Sequence, residues 1–432
     1  MKPLSVVLLG AGNRGIRYAD HMAEMPDKYK VVAVADPSES RRRTIQQMHG
    51  VPDSGLYNSW EEVLAQPKFA DLCVIALVDN MHYEPALKAI DLGYDLLLEK
   101  PVAQTAQECA DIANAANAKG VKVLVCHVLR YTPFFGKIKQ LLMEGVIGDV
   151  ISLEQTEAVG HIHYSHSYVR GNWHKEEEST PMLLAKCCHD LDMIQWLLDK
   201  PCKKVSSFGS LMHFRKENAP EGAPVRCADG GCPAGDTCPY NCVAYYCGPA
   251  SIARKRIITN GIAENFENPT ESEIMTALKT TDYGLCVYQA NNDVVDHQVV
   301  NMEFSGGATA TLTMNAFNYG GRYIRIYGTR GEIMAHMSDT QIKVFTFDDR
   351  KHWTVPTLKV DETINGGHGG GDQGIIRELY EFMSGSYDGY RAADINISVK
   401  NHLIGFAAEE ARHGEKIVKV DEVFARYGFE ND

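Results

Sequence analysis

The chain has 432 residues, of which 44% are hydrophobic and 23% charged, a globular composition with enough length for two domains. Its formal net charge of −13 excludes nucleic acid and anionic membrane as expected partners, because both bind basic surfaces. No apolar run has membrane-spanning length, and the first residues lead into a predicted strand without a signal peptide. We therefore expect a cytoplasmic protein.

The first predicted element is a buried strand that begins near Val6 and runs into a glycine-rich turn. The turn has the pattern G-x-G-x-x-G, formed by Gly10, Gly12 and Gly15. These glycines allow a tight turn, a close approach of backbone amides to a pyrophosphate, and close packing of the next helix. A second strand, residues 31–35, ends in Asp36, where the dinucleotide fingerprint has an acid for the ribose hydroxyls. The stretch predicts a nucleotide site.

Strands and helices continue to alternate up to about residue 132. Further strands are predicted at 72–77, 95–98 and 121–126, with helices at 13–25, 38–49, 82–92 and 105–119. This alternation is typical of a doubly wound parallel sheet, so residues 1–132 are predicted to form an α/β nucleotide-binding domain.

The pattern changes in the second part of the chain, residues 133–432. Strands with alternating side chains and glycine turns are predicted at 150–156, 205–213, 298–304, 308–315, 323–327 and 342–347. They predict an α+β domain with an open, mostly antiparallel sheet. Residues from 215 to about 268 are rich in glycine, proline and cysteine and are interpreted as an insertion.

The fourth parallel strand ends in Glu99-Lys100-Pro101. Ligands of a doubly wound sheet bind at the carboxyl ends of its strands, so Lys100 is expected to face the nicotinamide end of a dinucleotide. A lysine that is partly desolvated beside a cofactor cation can exchange protons with a substrate hydroxyl. The alternative is a surface lysine paired with Glu99.

A helix is predicted from Pro181 to Leu198, and it places Lys186, His189 and Asp190 on one face. A polar face inside an otherwise apolar helix is costly unless it borders a cleft, so these residues are candidates for a site. The alternative is a Lys186–Asp190 surface ion pair with His189 merely adjacent.

The loop from His161 to Trp173 mixes polar and aromatic side chains, a mixture that binds sugars. Its His166, Arg170 and Trp173 are candidate substrate contacts together with His189, the alternative being an ordinary polar loop. His368, in the glycine-rich run 366–371, is also within expected reach of the cleft.

The insertion contains five closely spaced cysteines with the spacing C-x4-C-x5-C-x3-C-x4-C. Thiol clusters suit tetrahedral zinc, although the compact C-x2-C spacing is missing. Candidate ligands are Cys227, Cys232, Cys238 and Cys242. Metal ligands, disulfides and unbonded thiols all remain open.

The combined motifs resemble the glucose–fructose oxidoreductase, inositol dehydrogenase and rhizopine catabolism (Gfo/Idh/MocA) family. The resemblance rests on the glycine turn with Asp36, on Glu99-Lys100-Pro101, on His189 followed by Asp190 and Asp192, and on the segments 304–308 and 327–332. It implies a Rossmann domain, a substrate domain on an open sheet whose outer face often makes a homodimer or homotetramer, and NAD(P)-linked chemistry on a sugar, polyol or related hydroxyl.

The resemblance also implies roles for individual residues. Lys100 becomes the general acid/base or a positioning group, His189 becomes the helix histidine, and Lys186 stands beside Ala185, where many relatives carry an aspartate. The expected cofactor contacts are Gly10, Gly12, Asn13, Arg14, Asp36, Leu77, His82, Glu99 and Lys100. Asp36 favours NAD by repelling a 2′-phosphate, whereas the arginines at 41–43 leave NADP open.

Two other functions fit the same motifs. One is a redox-neutral NAD-dependent glycosidase, which oxidises, eliminates and re-reduces. The other is a cofactor-binding regulatory protein without catalysis.

Overall fold

Residues 4–125 contain a parallel six-stranded sheet with the strand order β3-β2-β1-β4-β5-β6. The computed structural model describes residues 2–248, 269–339, 341–356 and 367–431. The strands are β1 (Leu4–Leu9), β2 (Tyr29–Ala35), β3 (Leu56–Tyr57), β4 (Leu72–Ile75), β5 (Asp95–Leu98) and β6 (Val123–Val125). The helices between them are α1 (Asn13–Ala23), α2 (Glu39–His49), α3 (Trp60–Leu64), α4 (Tyr83–Asp91) and α5 (Ala106–Lys119). The predicted Rossmann architecture is confirmed.

The second sheet has the strand order β14-β13-β12-β11-β7-β10-β9-β8-β15 across the described residues. Its strands are β7 (Val150–Ala158), β8 (Cys202–Ser210), β9 (His297–Phe304), β10 (Thr309–Asn315), β11 (Gly321–Gly328), β12 (Gly331–His336), β13 (Gln341–Thr346), β14 (Lys351–Pro356) and β15 (Val418–Lys419). The β7–β10 pair is parallel and the other neighbours are antiparallel, as the mostly antiparallel prediction requires.

The second part of the chain also contains the remaining helices that the structure describes. They are α6 (Pro133–Met143), α7 (His161–Tyr164), α8 (Met182–Ala185), α9 (Cys188–Leu198), α10 (Cys242–Cys247), α11 (Glu271–Thr280), α12 (Gly371–Ser384), α13 (Ile395–Gly414) and α14 (Val420–Arg426). None of the helices that the structure describes is both long and apolar enough to cross a bilayer.

The glycine turn after β1 can be built only with glycines at two of its positions. Gly10 has a φ of +89°, and a Cβ there would stand 2.4 Å from the carbonyl oxygen of Ala76. A Cβ on Gly15 would stand 1.9 Å from the carbonyl oxygen of Gly10. These close approaches let α1 begin directly over the end of β1, which points its N-terminus at the carboxyl ends of the strands.

Helix α12 lies late in the chain but packs on the first sheet. Ile375, Ile376 and Leu379 are buried in the same apolar cluster as the β1 residues Val6 and Leu8. The clustering brings the glycine-rich run before α12 to the edge of the nucleotide turn. The division of the chain into a first domain of residues 1–132 and a second of residues 133–432 stays a prediction.

The prediction of one continuous helix from Pro181 to Leu198 is wrong. The segment is broken into α8 and α9, with Lys186 and Cys187 between them. At the break, the carbonyl of Ala185 accepts a hydrogen bond from Nζ of Lys100 at 2.9 Å. In a continuous helix this carbonyl would pair with the amide of His189, so Lys100 satisfies an acceptor that the break leaves without its helical partner.

A buried ion pair joins the end of the first domain to the helices of the second. Nε and Nη2 of Arg130 donate to the two carboxylate oxygens of Asp192 at 2.8 and 2.7 Å, and Asn401 donates to the same carboxylate at 2.6 Å. The side chain of Asp192 is fully buried. Because the pair is shielded from water, each charge is stabilised by the other and would be strongly destabilising alone.

We predict that Asp192→Asn lowers the free energy of unfolding by about 3–5 kcal/mol, because it leaves the Arg130 charge buried without a counter-charge. Chemical denaturation measures the effect. The matched control is Asp348→Asn, which removes the exposed partner of Arg330 and should leave the free energy of unfolding nearly unchanged. Equal effects of the two substitutions would contradict the prediction.

Candidate active site

A cavity of about 790 Å³ lies where the two domains meet. One wall is the nucleotide turn with the loop after β4, and the other is the segment from Val159 to Trp173. Six of the predicted cofactor contacts line it: Gly10, Gly12, Asn13, Arg14, Asp36 and Leu77. The predicted substrate contacts His166 and Trp173 line the opposite wall. The volume lies in the range of ligand sites, roughly 300–1,000 Å³.

The geometry at Gly12 fits a dinucleotide. The nearest atom to the position of a Cβ on Gly12 is Nη1 of Arg41, at 3.9 Å, so the backbone of the turn is open to a ligand. Asp36, only 4% exposed, accepts from the amides of Ala11 at 2.8 Å and Ser38 at 2.9 Å. Nη1 of Arg41 lies 3.9 Å from the same carboxylate. The part of the cavity where the dinucleotide fingerprint places the ribose therefore holds one acid and one arginine side by side.

Glu99 is a predicted cofactor contact that the structure places behind the cavity wall. Its Oε1 accepts from Nε of Arg14 at 2.7 Å and from the hydroxyl of Tyr18 at 2.5 Å. Burial alone would raise the pKa of Glu99, but the neighbouring cations Arg14 and Lys100 lower it overall. Glu99 thus stays ionised and fixes Arg14, rather than reaching into the cavity.

The ammonium of Lys100 lies at the boundary between the domains. Its hydrogen bond to the carbonyl of Ala185 spans from the end of β5 to the helix pair that carries His189. The alternative of a Glu99–Lys100 surface pair differs from this arrangement. The backbone amide of Lys100 donates to Glu99 at 3.0 Å, whereas the ammonium of Lys100 donates to Ala185. Lys100 thus projects from the Rossmann sheet toward the second domain.

Lys186 belongs to a buried group of alternating charges, not to a Lys186–Asp190 pair. Its Nζ lies 3.6 Å from Glu157, and Arg322 contacts both Glu157, at 2.6 Å, and Asp190, at 2.9 Å. Burial lowers the pKa of Lys186, and Glu157 only partly offsets this. Burial likewise raises the pKa of Glu157 in spite of its two cationic neighbours. Both shifts favour the neutral forms, which is the condition under which a lysine can accept a proton.

His189 is buried at the start of α9, 3% exposed. Its Nδ1 has no hydrogen-bond partner among the described residues. Burial and the nearby charges of Lys100 and His368 lower its pKa well below the ordinary value. A neutral imidazole is therefore available beside the two lysines.

Comparison with known proteins accounts for this arrangement. A family model described as "Oxidoreductase family, NAD-binding Rossmann fold" matches residues 4–127, and one described as "Oxidoreductase family, C-terminal alpha/beta domain" matches residues 139–424. The chain belongs to the Gfo/Idh/MocA family of NAD(P)-dependent oxidoreductases.

Several individual proteins are similar to this Gfo/Idh/MocA chain. The oxidoreductase YteT of Bacillus subtilis is 24% identical over 375 residues, which cover 83% of this chain and 84% of that protein. The 2,7-anhydro-N-acetylneuraminate hydratase of Escherichia coli is 27% identical, over 47% of this chain and about half, 51%, of its own length. Levoglucosan dehydrogenase in complex with NADH and levoglucosan has a TM-score of 0.70 at 17% identity, covering 97% of this chain and 100% of that one. At that identity, the likeness shows the fold alone.

Two other predicted contacts of this Gfo/Idh/MocA chain are turned toward the protein. His82 is fully buried, and its ring nitrogens bond the carbonyls of Pro101 at 2.7 Å and Leu77 at 3.1 Å. Arg170 donates to the carbonyls of Leu285 at 2.7 Å and Tyr240 at 2.8 Å. Arg170 therefore fastens the insertion to the segment that lines the cavity.

The insertion supplies part of the cavity wall. Tyr245, and Tyr283 just beyond the insertion, line the cavity beside His166. The ring of His166 stacks on Tyr283 with centroids 4.8 Å apart, and its Nδ1 bonds the hydroxyl of Tyr246 at 2.6 Å. Trp173 donates from Nε1 to Asp79 at 2.9 Å, which ties this wall to the loop after β4.

The predicted zinc site at Cys227, Cys232, Cys238 and Cys242 is not supported. Within the described ranges, no group of three or more histidine, cysteine or acidic side chains has the geometry to hold a metal ion. Instead, the thiols of Cys227 and Cys242 donate to the backbone carbonyls of Leu285 at 3.9 Å and Gly284 at 3.8 Å, and the neighbouring thiols of Cys242 and Cys286 lower the pKa of Cys227. The partner Cys286 lies outside the insertion, so spacing within the insertion did not predict this cluster. Residues 249–268 of the insertion lie outside the described residues.

Sequence reasoning missed the residues that hold the predicted ones in place. Glu157, Arg322, Tyr18 and Asp372 carry no motif, and each contacts the site from a distant part of the chain. They share a buried position for a polar or charged side chain, and the sequence alone does not reveal it.

We predict that Arg170→Met loosens the insertion, because two carbonyl acceptors lose their charged donor at a cost of about 1–3 kcal/mol. Faster alkylation of Cys232, a partly buried cysteine of the insertion, by iodoacetamide, followed by mass spectrometry, would report the loosening. Arg215→Met, which removes an exposed arginine from the same segment, is the control and should leave the labelling rate unchanged. An unchanged rate in Arg170→Met would contradict the assigned role.

Proposed function

We propose that this enzyme transfers hydride between a nicotinamide cofactor and a hydroxyl-bearing carbon of a sugar, polyol or glycoside. The observation that carries the proposal is the position of Lys100, which extends from the carboxyl end of a Rossmann strand to the helix break before His189. Bound nicotinamide supplies the hydride acceptor or donor. Gly10, Gly12, Asn13, Arg14, Asp36 and Leu77 are the residues that would hold the cofactor.

In this proposal, Lys100 removes the proton of the reacting hydroxyl when the substrate is oxidised. A lysine performs this step in its neutral form. His189 and Lys186 hold the neighbouring hydroxyls, since a neutral imidazole and an amine both pair with them. The buried carboxylates of Glu157 and Asp190 compensate the cationic charge behind the site.

The substrate class follows from the wall opposite the cofactor. His161, His163, Tyr319 and Trp173 present polar tips and aromatic faces to the cavity, a combination that suits a carbohydrate. Two similar proteins have carbohydrate names or ligands, a 2,7-anhydro-N-acetylneuraminate hydratase and a levoglucosan dehydrogenase. We propose a carbohydrate or polyol substrate without naming one compound.

A redox-neutral reaction is the second candidate, and the name of the hydratase relative favours it. The two candidates differ in whether reduced cofactor accumulates. With a glycoside as substrate, release of free sugar without accumulation of NADH would favour the redox-neutral reaction.

We further propose a homodimer or homotetramer formed through the outer face of the second sheet. Phe208, Tyr323 and Met334 are exposed on that face at 70%, 50% and 42%. Exposed apolar side chains grouped on one face are typical of protein–protein contacts.

We predict that Lys100→Met lowers kcat by about 100-fold or more, because it removes the acid–base group without removing a cofactor contact of the glycine turn. The assay follows reduced nicotinamide with a panel of cyclitols, aldoses and glycosides, and calorimetry gives the Kd for NAD+. The exposed Lys88→Met serves as the control with normal turnover. Near-normal kcat in Lys100→Met would contradict the mechanism.

We also propose NAD as the preferred cofactor, because Asp36 would repel a 2′-phosphate. We predict a Kd for NAD+ at least about tenfold below that for NADP+, measured by titration. Asp36→Asn keeps an acceptor for the amide of Ala11 but removes the charge. It should therefore bring the Kd for NADP+ closer to the Kd for NAD+. Tighter binding of NADP+ by the wild-type protein would contradict the proposal and assign Arg41 to the phosphate.

A further inference from the structure

A histidine–carboxylate pair lies beside His189 and has no role in the hydride-transfer scheme above. Nδ1 of His368 lies 3.1 Å from Oδ1 of Asp372, one turn further along the chain. Within the described residues, Asp372 is fully buried, and both its oxygens accept from Arg14, at 2.8 and 2.9 Å. The carboxylate is therefore fixed in place before it meets the imidazole.

The pairing determines which nitrogen of His368 is available. Burial raises the pKa of Asp372, but Arg14 and His368 more than reverse this, so the net pKa is well below the ordinary value. An ionised carboxylate accepts a hydrogen, which places the proton of neutral His368 on Nδ1 and leaves the lone pair on Nε2. Partial burial lowers the pKa of His368 in spite of Asp372, so at neutral pH the ring is a base.

The backbone holds His368 in a position that an unconstrained residue would avoid. Its φ of +55° is a left-handed conformation that only a few per cent of non-glycine residues adopt, with asparagine, aspartate and histidine enriched among them. The flanking Gly369 and Gly370 also have positive φ values, 62° and 93°. Backbone strain of this kind persists where surrounding contacts impose it, and it is concentrated at functional sites.

The position of His368 connects the buried site with the surface. Its ring lies 5.6 Å from that of His189, measured between centroids. The side chain of His368 is 31% exposed, whereas His189 is 3% exposed. On the other side of His189, the ammonium of Lys100 donates to the carbonyl of Ala185, four residues before His189 in the broken helix, at 2.9 Å. His368 is thus the histidine of this group that water reaches most readily.

Resting on the proposed hydride transfer, we propose that His368, oriented by Asp372, carries the proton of the reacting hydroxyl between Lys100 and water. During oxidation, the O–H bond breaks and its electron pair forms the C=O bond, while the C–H pair leaves as hydride to the nicotinamide. The proton passes from Lys100 by way of His189 to Nε2 of His368, and from there to water. Reduction runs the same path in reverse. Lys100 is thereby neutral again for the next turnover.

The test compares wild type, His368→Gln and His368→Ala in weakly buffered solution with NAD+. The probes are levoglucosan, 2,7-anhydro-N-acetylneuraminate, myo-inositol and D-xylose. His368→Gln can still donate to Asp372 but cannot accept a proton, so it tests the base without removing the contact. We expect both variants to lose about tenfold or more in kcat with little change in the KM for NAD+.

Imidazole added to the medium separates proton transfer from a structural role. It should restore most of the lost kcat in His368→Ala, because a free imidazole can replace the missing base. The exposed His413→Ala is the control, with normal kcat and no response to imidazole.

Unchanged kcat in both His368 variants, or a loss that imidazole does not reverse, would overturn the inference while leaving the proposed function intact. Absence of cofactor reduction by wild type with these probes and with the whole panel of cyclitols, aldoses and glycosides would overturn the proposed function itself, and this inference with it.

Discussion

The side chain of Arg14 ties together the parts of this protein that meet at the cavity. Its guanidinium donates from Nε to Glu99 at 2.7 Å and from both Nη atoms to Asp372 at 2.9 and 2.8 Å. The first carboxylate precedes Lys100, and the second holds His368. Because both carboxylates are buried, removing the guanidinium would leave two charges without water or a counter-ion. The nucleotide turn, the segment that carries Lys100 and the glycine-rich run therefore depend on one side chain.

A consequence is that buried ion pairs on the side of the site away from the cavity balance its charges. Arg322 stands between Glu157 and Asp190, and Arg14 stands between Glu99 and Asp372. Burial shifts the pKa of Lys186 and His189 toward their neutral forms. These side chains are thus held toward their neutral forms, while the buried ion pairs of Arg14 and Arg322 behind them preserve the geometry.

The parts of the fold that were predictable depend on short-range patterns. The glycine turn and the alternating strands are set by spacings within a few residues, and the structure confirms them. The break after Ala185 was not predictable, because a side chain from β5, Lys100, takes the carbonyl that the helix would use. The contact between Arg14 and Asp372 joins residues 358 positions apart, beyond any local pattern.

The insertion shows a different limit of sequence reasoning. Closely spaced cysteines favoured a metal site, yet the sulfur of Cys227 is paired with Cys286, which no spacing rule connects to the insertion. Arg170 in turn fastens the insertion to the cavity wall through backbone carbonyls, and any sequence supplies such acceptors. Residue type predicted what these side chains can bind, while the fold determined what they do bind.

Transfer of a label from substrate carbon to cofactor tests the central claim most directly. The protein would be incubated with NAD+ and with sugars and cyclitols deuterated at their ring carbons, and the reduced cofactor would be analysed by mass spectrometry and NMR. The account predicts one deuterium at C4 of the nicotinamide for each ketone formed. Conversion of a sugar without deuterium ever appearing in the reduced cofactor would contradict it.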